Sequence, residues 1–315
     1  MMLRDGLVRI SEEYPLASKE VFSGHSLGNF VRNEFTKSLE QTLNLADTNI
    51  IIKASVGQSV WADVPWIVFM DALVTNSILR GYYVGYLYSA DMNRVYLTMA
   101  QGVTGVKEEF GMEWISVLHQ RAALIRSRVP AYKDIFSKER IDLAGRTSLA
   151  KSYEETPAFS KMYSTTDMPS EDQLLEELNN MLDLYSQLTY SGGTDLVEHP
   201  VDSLERDKHL TVSEKKLYRE HRRVEGRVNS KKVKDYRGYI CEACGFDFEE
   251  FYGDLGHQYI EAHHLKPYSD LGPGKLRKLD LATDFAVLCA NCHKMIHRLE
   301  SPGDLDGLIS KIRHK

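Results

Sequence analysis

The chain has 315 residues, 43% of them hydrophobic and 27% charged, which suits about two soluble domains with real cores. No apolar run approaches the ~18–20 residues that span a bilayer, and the start, MMLRDGLVRI, lacks a signal-peptide core, so a cytoplasmic protein is expected. The net charge of −6 looks unfavourable for binding nucleic acid, but residues 1–200 carry −8 and residues 201–315 carry +2.

In chain order, residues 25–43 place Leu27, Phe30, Val31, Phe35 and Leu39 at helical spacing. Strand-like runs follow at 49–55, 64–70, 82–89 and 94–100, rich in β-branched and aromatic residues. Ser89 to Asn93 reads as a hairpin turn. Residues 107–128 read as an amphipathic helix. Ser170 and Gln173 form a capping-box start for a helix with Leu174, Leu178, Met181, Leu182, Tyr185 and Leu188 on one face. The stretch 189–203, rich in Gly, Ser, Thr and Asp, reads as a linker. No Gly-rich phosphate loop ending in Gly-Lys-Ser/Thr occurs, which argues against an NTP motor.

Beyond the linker, residues 215–237 hold ten basic and three acidic residues; Arg222, Arg223, Arg227, Lys231 and Lys232 are candidates for phosphate contact. A solvated helix face would have a similar composition. Next come the chain's four cysteines, as two C-x-x-C pairs, Cys241/Cys244 and Cys289/Cys292. In a cytosolic protein that spacing suits a closed tetrahedral Zn²⁺ site. The 44 residues between the pairs exceed a simple ribbon and contain Glu261-Ala-His-His-Leu-Lys-Pro267. His293 and His297 follow the second pair at i, i+4, one face of a helix, where both imidazoles can reach one ion. A zinc closed by four thiolates leaves the histidines free for a second metal site.

Taken together, HHxxP between two cysteine knuckles followed by CxxCHxxxH resembles the McrA-like four-cysteine branch of the HNH (ββα-metal) nucleases, over about residues 213–300. The resemblance implies that His263, His293 and His297 are ligands of a catalytic metal and that His264 is the general base. It aligns Asp284 with the family's middle Asn, with Asn291 as the other candidate. The catalytic ion would be Mg²⁺ or Mn²⁺, Co²⁺ or Ni²⁺, imidazoles favouring the softer ions.

Upstream, residues 20–190 resemble the N-terminal domain of the McrB-like family, through Val64-Pro65-Trp66 after a glycine loop and the Gly81-Tyr82-Tyr83…Tyr86-Leu87-Tyr88 strand. That family flips a modified base into an aromatic and aliphatic pocket. By position Trp66 and Leu87 match pocket walls; Trp61, Tyr82 and Tyr86 are further candidates. A Trp in VPWIVFM also suits a core strand. A later pocket tyrosine falls around 145–153 without a secure alignment.

The expected architecture is α+β: a mixed α/β reader domain with a central sheet (1–190), a linker (191–212) and a C-terminal ββα-metal domain with a four-cysteine zinc site (213–315). The expected function is a modification-dependent, type IV-like restriction endonuclease acting on double-stranded DNA bearing methylated or hydroxymethylated cytosine. The alternatives are a modification-independent nicking or antiphage nuclease, a reader of another modification such as phosphorothioate, and a non-catalytic DNA-binding module. One HNH site cuts one strand per visit, so double-strand breaks would favour a homodimer.

Overall fold

The computed structural model describes residues 2–45, 48–194, 228–266 and 280–313. The first helix, α1 (Leu3–Ala17), buries Leu3, Leu7, Ile10, Tyr14 and Ala17, a stripe at helical spacing. The run expected over 25–43 is helical but not uniform. It comprises α2 (Ser26–Asn29), a π-helical turn (Phe30–Phe35) and α3 (Thr36–Thr42). All five apolar residues that mark it are buried.

Five antiparallel strands then form one sheet in chain order: β1 (Ile50–Gln58), β2 (Val60–Asp71), β3 (Tyr82–Tyr88), β4 (Arg94–Gln101) and β5 (Phe159–Ser164). The β1–β2 ladder shifts register between Ser55 and Gly57. Gly57 has φ +126°, and a Cβ there would collide with the Val60 carbonyl, so this tight turn requires glycine. The β3–β4 hairpin turns at Ser89–Asn93, where the Met92 amide donates to the Ser89 carbonyl.

The helix expected over 107–128 is two helices, α4 (Val103–Phe110) and α5 (Trp114–Arg128). The break falls at Gly111, whose φ of +55° cannot continue a right-handed helix. After a short α6 (Ser148–Tyr153) comes α7 (Glu171–Tyr190). Its cap residue Ser170 accepts the Gln173 amide, and all six predicted apolar residues are buried. Thr189 and Tyr190, expected in the linker, belong to α7; Ser191–Thr194 form a turn, and 195–203 lie outside the described residues.

Helices α1 and α7 cover one face of the sheet. Tyr82, Val84, Tyr86 and Tyr88 point into that core with Ile67, Phe69 and Leu97. On the other face Val64, Leu87 and Tyr96 pack with Ile141, Leu143 and Ala150. Strand β3 is therefore buried on both sides.

A separate core forms from residue 228 on. Helix α8 (Val228–Arg237) buries Val233 against a two-stranded sheet of β6 (Glu261–His264) and β7 (Phe285–Leu288). Helix α9 (Phe248–Tyr252) lies in the insert between the cysteine pairs, α10 (Ala290–Ile296) follows β7, and α11 (Leu305–Lys311) closes the unit. Among the described residues no helix is long and apolar enough to cross a membrane.

Candidate metal centre and base pocket

The four cysteines converge. Their sulfurs lie within 4.8 Å of one another, and no disulfide joins them. Two turns bring them there: the Cys241–Cys244 knuckle, closed by Gly245 at φ +75°, and the start of α10, where the Cys289 sulfur accepts the Cys292 amide at 3.4 Å. The Cys244 and Cys289 sulfurs are 3.7 Å apart. A tetrahedral zinc with bonds of about 2.3 Å sets its sulfurs roughly 3.8 Å apart, so the donor set fits that ion.

The electrostatics point the same way. Hydrogen bonding with the Cys289 thiol and with neighbouring amides pulls Cys241 down to about 4. Burial, then the charge on Cys241, pushes Cys292 up to about 12. Cys289 rises as well, through its hydrogen bond to Cys241 and through burial. The charge on Cys241 thus holds back ionisation of Cys289 and Cys292, a repulsion that a bound cation would relieve.

The second cluster comprises His263, His293 and His297, whose ligand-capable nitrogens also lie within 4.8 Å of one another. Neighbours on a strand point to opposite faces. His263 therefore meets His293 and His297, with ring centroids 5.1 and 4.7 Å away, while His264 packs on Phe285 at 4.8 Å. His293 and His297 approach through their Nε2 atoms at 3.3 Å.

Hydrogen-bond partners set the tautomers. His293 Nδ1 donates to the Glu261 carboxylate at 2.6 Å, leaving a lone pair on Nε2. His263 Nε2 donates to the Pro302 carbonyl at 2.9 Å, leaving a lone pair on Nδ1. Burial holds His263 and His297 well below the ordinary imidazole range. Burial and the nearby His293 lower His264 to about 4, against a smaller opposing pull from Asp284. These three imidazoles are neutral at pH 7, the form that ligates metal or accepts a proton.

Glu261 is a site residue that the sequence motifs do not single out. Its position two residues before His263, on the same strand face, is the signal that could find it. Of the two candidates for the middle Asn position, Asp284 is joined to the histidine loop and Asn291 is exposed on the first turn of α10. Asp284 is fully buried. Its carboxylate accepts the Asp280 amide at 2.8 Å, Lys266 Nζ lies 3.4 Å from it, and its carbonyl accepts the Leu265 amide at 2.8 Å.

In the N-terminal unit Trp66 and Leu87 are direct cross-strand partners. Trp66 is half-buried against the cluster around Leu87, Tyr96 and Leu143, and Tyr153 packs on the same cluster. Tyr153 thus lies in the stretch, 145–153, where the resemblance expects a pocket tyrosine. Asp63 accepts the amides of Arg146 and Thr147 at 2.7 and 2.9 Å, tying the following loop to β2.

The other pocket candidates lie away from this cluster. Tyr82 and Tyr86 are 7% and 0% exposed on the helix-covered face, opposite to Trp66. Trp61 is committed to packing: it makes edge contacts with Tyr14, Phe22 and His25, and its Nε1 donates to the Glu20 carbonyl at 2.9 Å. Of the basic candidates, Lys232 is exposed on α8; Arg222, Arg223, Arg227 and the side chain of Lys231 lie outside the described residues.

Comparison with known proteins gives two matches. The chain is 35% identical over 66 residues to the type IV methyl-directed restriction enzyme EcoKMcrA of Escherichia coli (strain K12), a match covering 21% of each chain. It thus aligns with about a fifth of that relative's length. Residues 9–190, more than half of the chain, match the family described as MrcB-like, N-terminal domain, and the chain belongs to that family.

Proposed function

We propose that the protein is a modification-dependent restriction endonuclease with a reader at 1–190, a linker at 191–212 and an HNH nuclease at 213–315. The observation that carries the nuclease reading is the division of labour among the histidines. Three converge on one point beside a four-cysteine cluster, and the fourth, His264, stands next to them on the opposite face of β6. The strand–strand–helix order of β6, β7 and α10 suits a ββα-metal site. Kinship to a restriction enzyme and to the MrcB-like family supports the restriction reading.

In this reading zinc held by Cys241, Cys244, Cys289 and Cys292 is structural. His263, His293 and His297 hold a catalytic divalent ion, Mg²⁺ or a softer ion such as Mn²⁺, Co²⁺ or Ni²⁺, which stabilises charge on the scissile phosphate and the leaving oxygen. His264, neutral at pH 7, takes the proton from the attacking water. Asp284 positions it by tying the Leu265 amide and Lys266 to the loop before β7. Glu261 orients His293. Trp66 and Leu87, with Tyr153, wall the pocket for a flipped, modified cytosine; flipping costs a few kcal/mol, offset by stacking.

The test is a panel of plasmids carrying unmodified, methylated or hydroxymethylated cytosine, incubated with each divalent metal. Cutting confined to modified DNA is expected, with His264→Ala reducing the rate by about 10²–10⁴-fold. Equal cutting of all plasmids would overturn the modification dependence and leave a modification-independent nicking nuclease. Undiminished cutting by the variant would overturn the mechanism.

A further inference from the structure

The histidine cluster is largely covered: His263 and His264 are 2% and 6% exposed, and His293 and His297 are half-buried. Part of the cover comes from the N-terminal unit. The turn after α7 passes His297: a Cβ on Gly192 would stand 3.4 Å from His297 Nδ1, an atom that is buried without a hydrogen-bond partner. Gly192 and Gly193 have φ of +88° and +61°, and a Cβ on Gly193 would run into the Tyr82 hydroxyl, so two glycines permit this close approach.

Three contacts hold the turn there. Arg128 Nη1 donates to the Gly193 carbonyl at 2.6 Å. The Gly303 amide donates to the Tyr190 hydroxyl at 2.9 Å, and Ser301 Oγ lies 3.3 Å from the same oxygen. Leu73, beyond the end of β2, packs against the C-terminal core.

Resting on the nuclease reading above, we infer that the end of α7 at Tyr190 and the turn after it are an autoinhibitory latch that keeps DNA from the histidine site until the N-terminal unit engages its own target. The layout supplies a route for release. Strands β2 and β3 carry Trp66 and Leu87 toward one end. At their other ends Asp71 and Tyr82 are joined through Tyr185, whose hydroxyl accepts the Asp71 amide at 2.9 Å and donates to the Tyr82 carbonyl at 3.0 Å. A load on the base pocket therefore bears on strands whose far ends abut the latch. The Pro302–His263 hydrogen bond lies wholly within the C-terminal unit and survives withdrawal of the turn.

The test uses the full chain carrying Tyr190→Phe, alone and combined with Arg128→Gln. Hydrogen exchange at the Gly303 amide and carbethoxylation of His297 by diethylpyrocarbonate need no catalysis. Both should quicken about 5–10-fold, the shift expected from losing one or two hydrogen bonds. Nicking of unmodified plasmid should rise by a similar factor while cutting of modified plasmid stays unchanged. Ser301→Ala, at an exposed position, should act in the same direction without touching the N-terminal core. Unchanged labelling in all variants would overturn the latch whatever the cleavage. So would faster labelling with no added nicking in protein that still cuts modified plasmid. If no variant cuts any DNA, the nuclease reading fails, and the labelling still decides whether the turn covers His297.

Discussion

The two units of this chain are held together by different physics. The principal N-terminal core gathers 42 buried apolar residues among those described, drawn from both flanking helices and all five strands. At about 25 cal/mol per Å² such burial accounts for a fold without other help. The C-terminal core has twelve, three of them the cysteines Cys241, Cys289 and Cys292, around a sheet of two four-residue strands. A two-stranded sheet is marginal alone, and small units of this kind ordinarily rely on a metal staple. Where burial is scarce, the four-cysteine and three-histidine clusters are placed to add coordination bonds in its stead.

Zinc removal is the harshest test of that contrast. Cys289→Ser, or a strong chelator, should strip amide protection from residues 241–266 and 280–313 and leave the sheet of the N-terminal unit protected. Structural zinc supplies an apparent ~10–16 kcal/mol in comparable sites, more than this small core can replace. Hydrogen exchange resolved along the chain reads both units at once. A C-terminal unit that stays protected without metal would break the comparison.

A smaller effect sharpens it inside the C-terminal unit. Glu261→Gln keeps the size of the side chain but removes the charged acceptor for His293 Nδ1. Metal affinity at the histidine site should fall about 10–100-fold, as for other partners of ligating histidines, while the cysteine site and the fold stay intact. Calorimetric titration of the zinc-loaded protein with Co²⁺ or Ni²⁺ measures it. Unchanged affinity would mean that His293 is oriented by packing alone.

How far these features are legible in the sequence depends on range. The cysteine pairs and the i, i+4 histidines are local spacings, and spacing alone is enough to expect their convergence. Strands β1 to β4 and the buried face of α7 follow from alternation and helical periodicity. Other features need the third dimension. Strand β5, Phe-Ser-Lys-Met-Tyr-Ser, has little apolar pattern and exists because β4 offers it a ladder. Helix α1 carries a readable stripe that charges at intervening positions obscure. Tyr82 and Tyr86 pass for pocket residues in the sequence because β3 is buried on both sides, so its pattern does not say which side is which. The Glu261–His293 pair spans 32 residues and the Tyr190–Gly303 contact 113, and no local rule finds either.

The gentlest prediction concerns the seam between the units, where the N-terminal unit buries a carboxyl group. Asp71 is 1% exposed. One carboxylate oxygen accepts the Leu73 amide at 2.8 Å, and the other is buried without a partner. Burial raises its pKa from 3.8 to about 7, against a smaller lowering by the Leu73 amide. The folded state therefore binds this proton more tightly than the unfolded chain. Its stabilising effect is complete below about pH 4, declines as pH rises toward 7, and is gone above that, where the buried group ionises. Asp71→Asn keeps the acceptor for Leu73 and removes the ionisation. It should match the parent near pH 4 and exceed it by roughly 1–3 kcal/mol at pH 8, less than the ~4 kcal/mol that the full pKa change would carry, because the new amide also needs partners. Denaturant melts of the N-terminal unit at the two pH values measure the difference. Equal pH dependence in parent and variant would show that Asp71 is ionised in the fold at all working pH values, and that the seam is wetter than its burial implies.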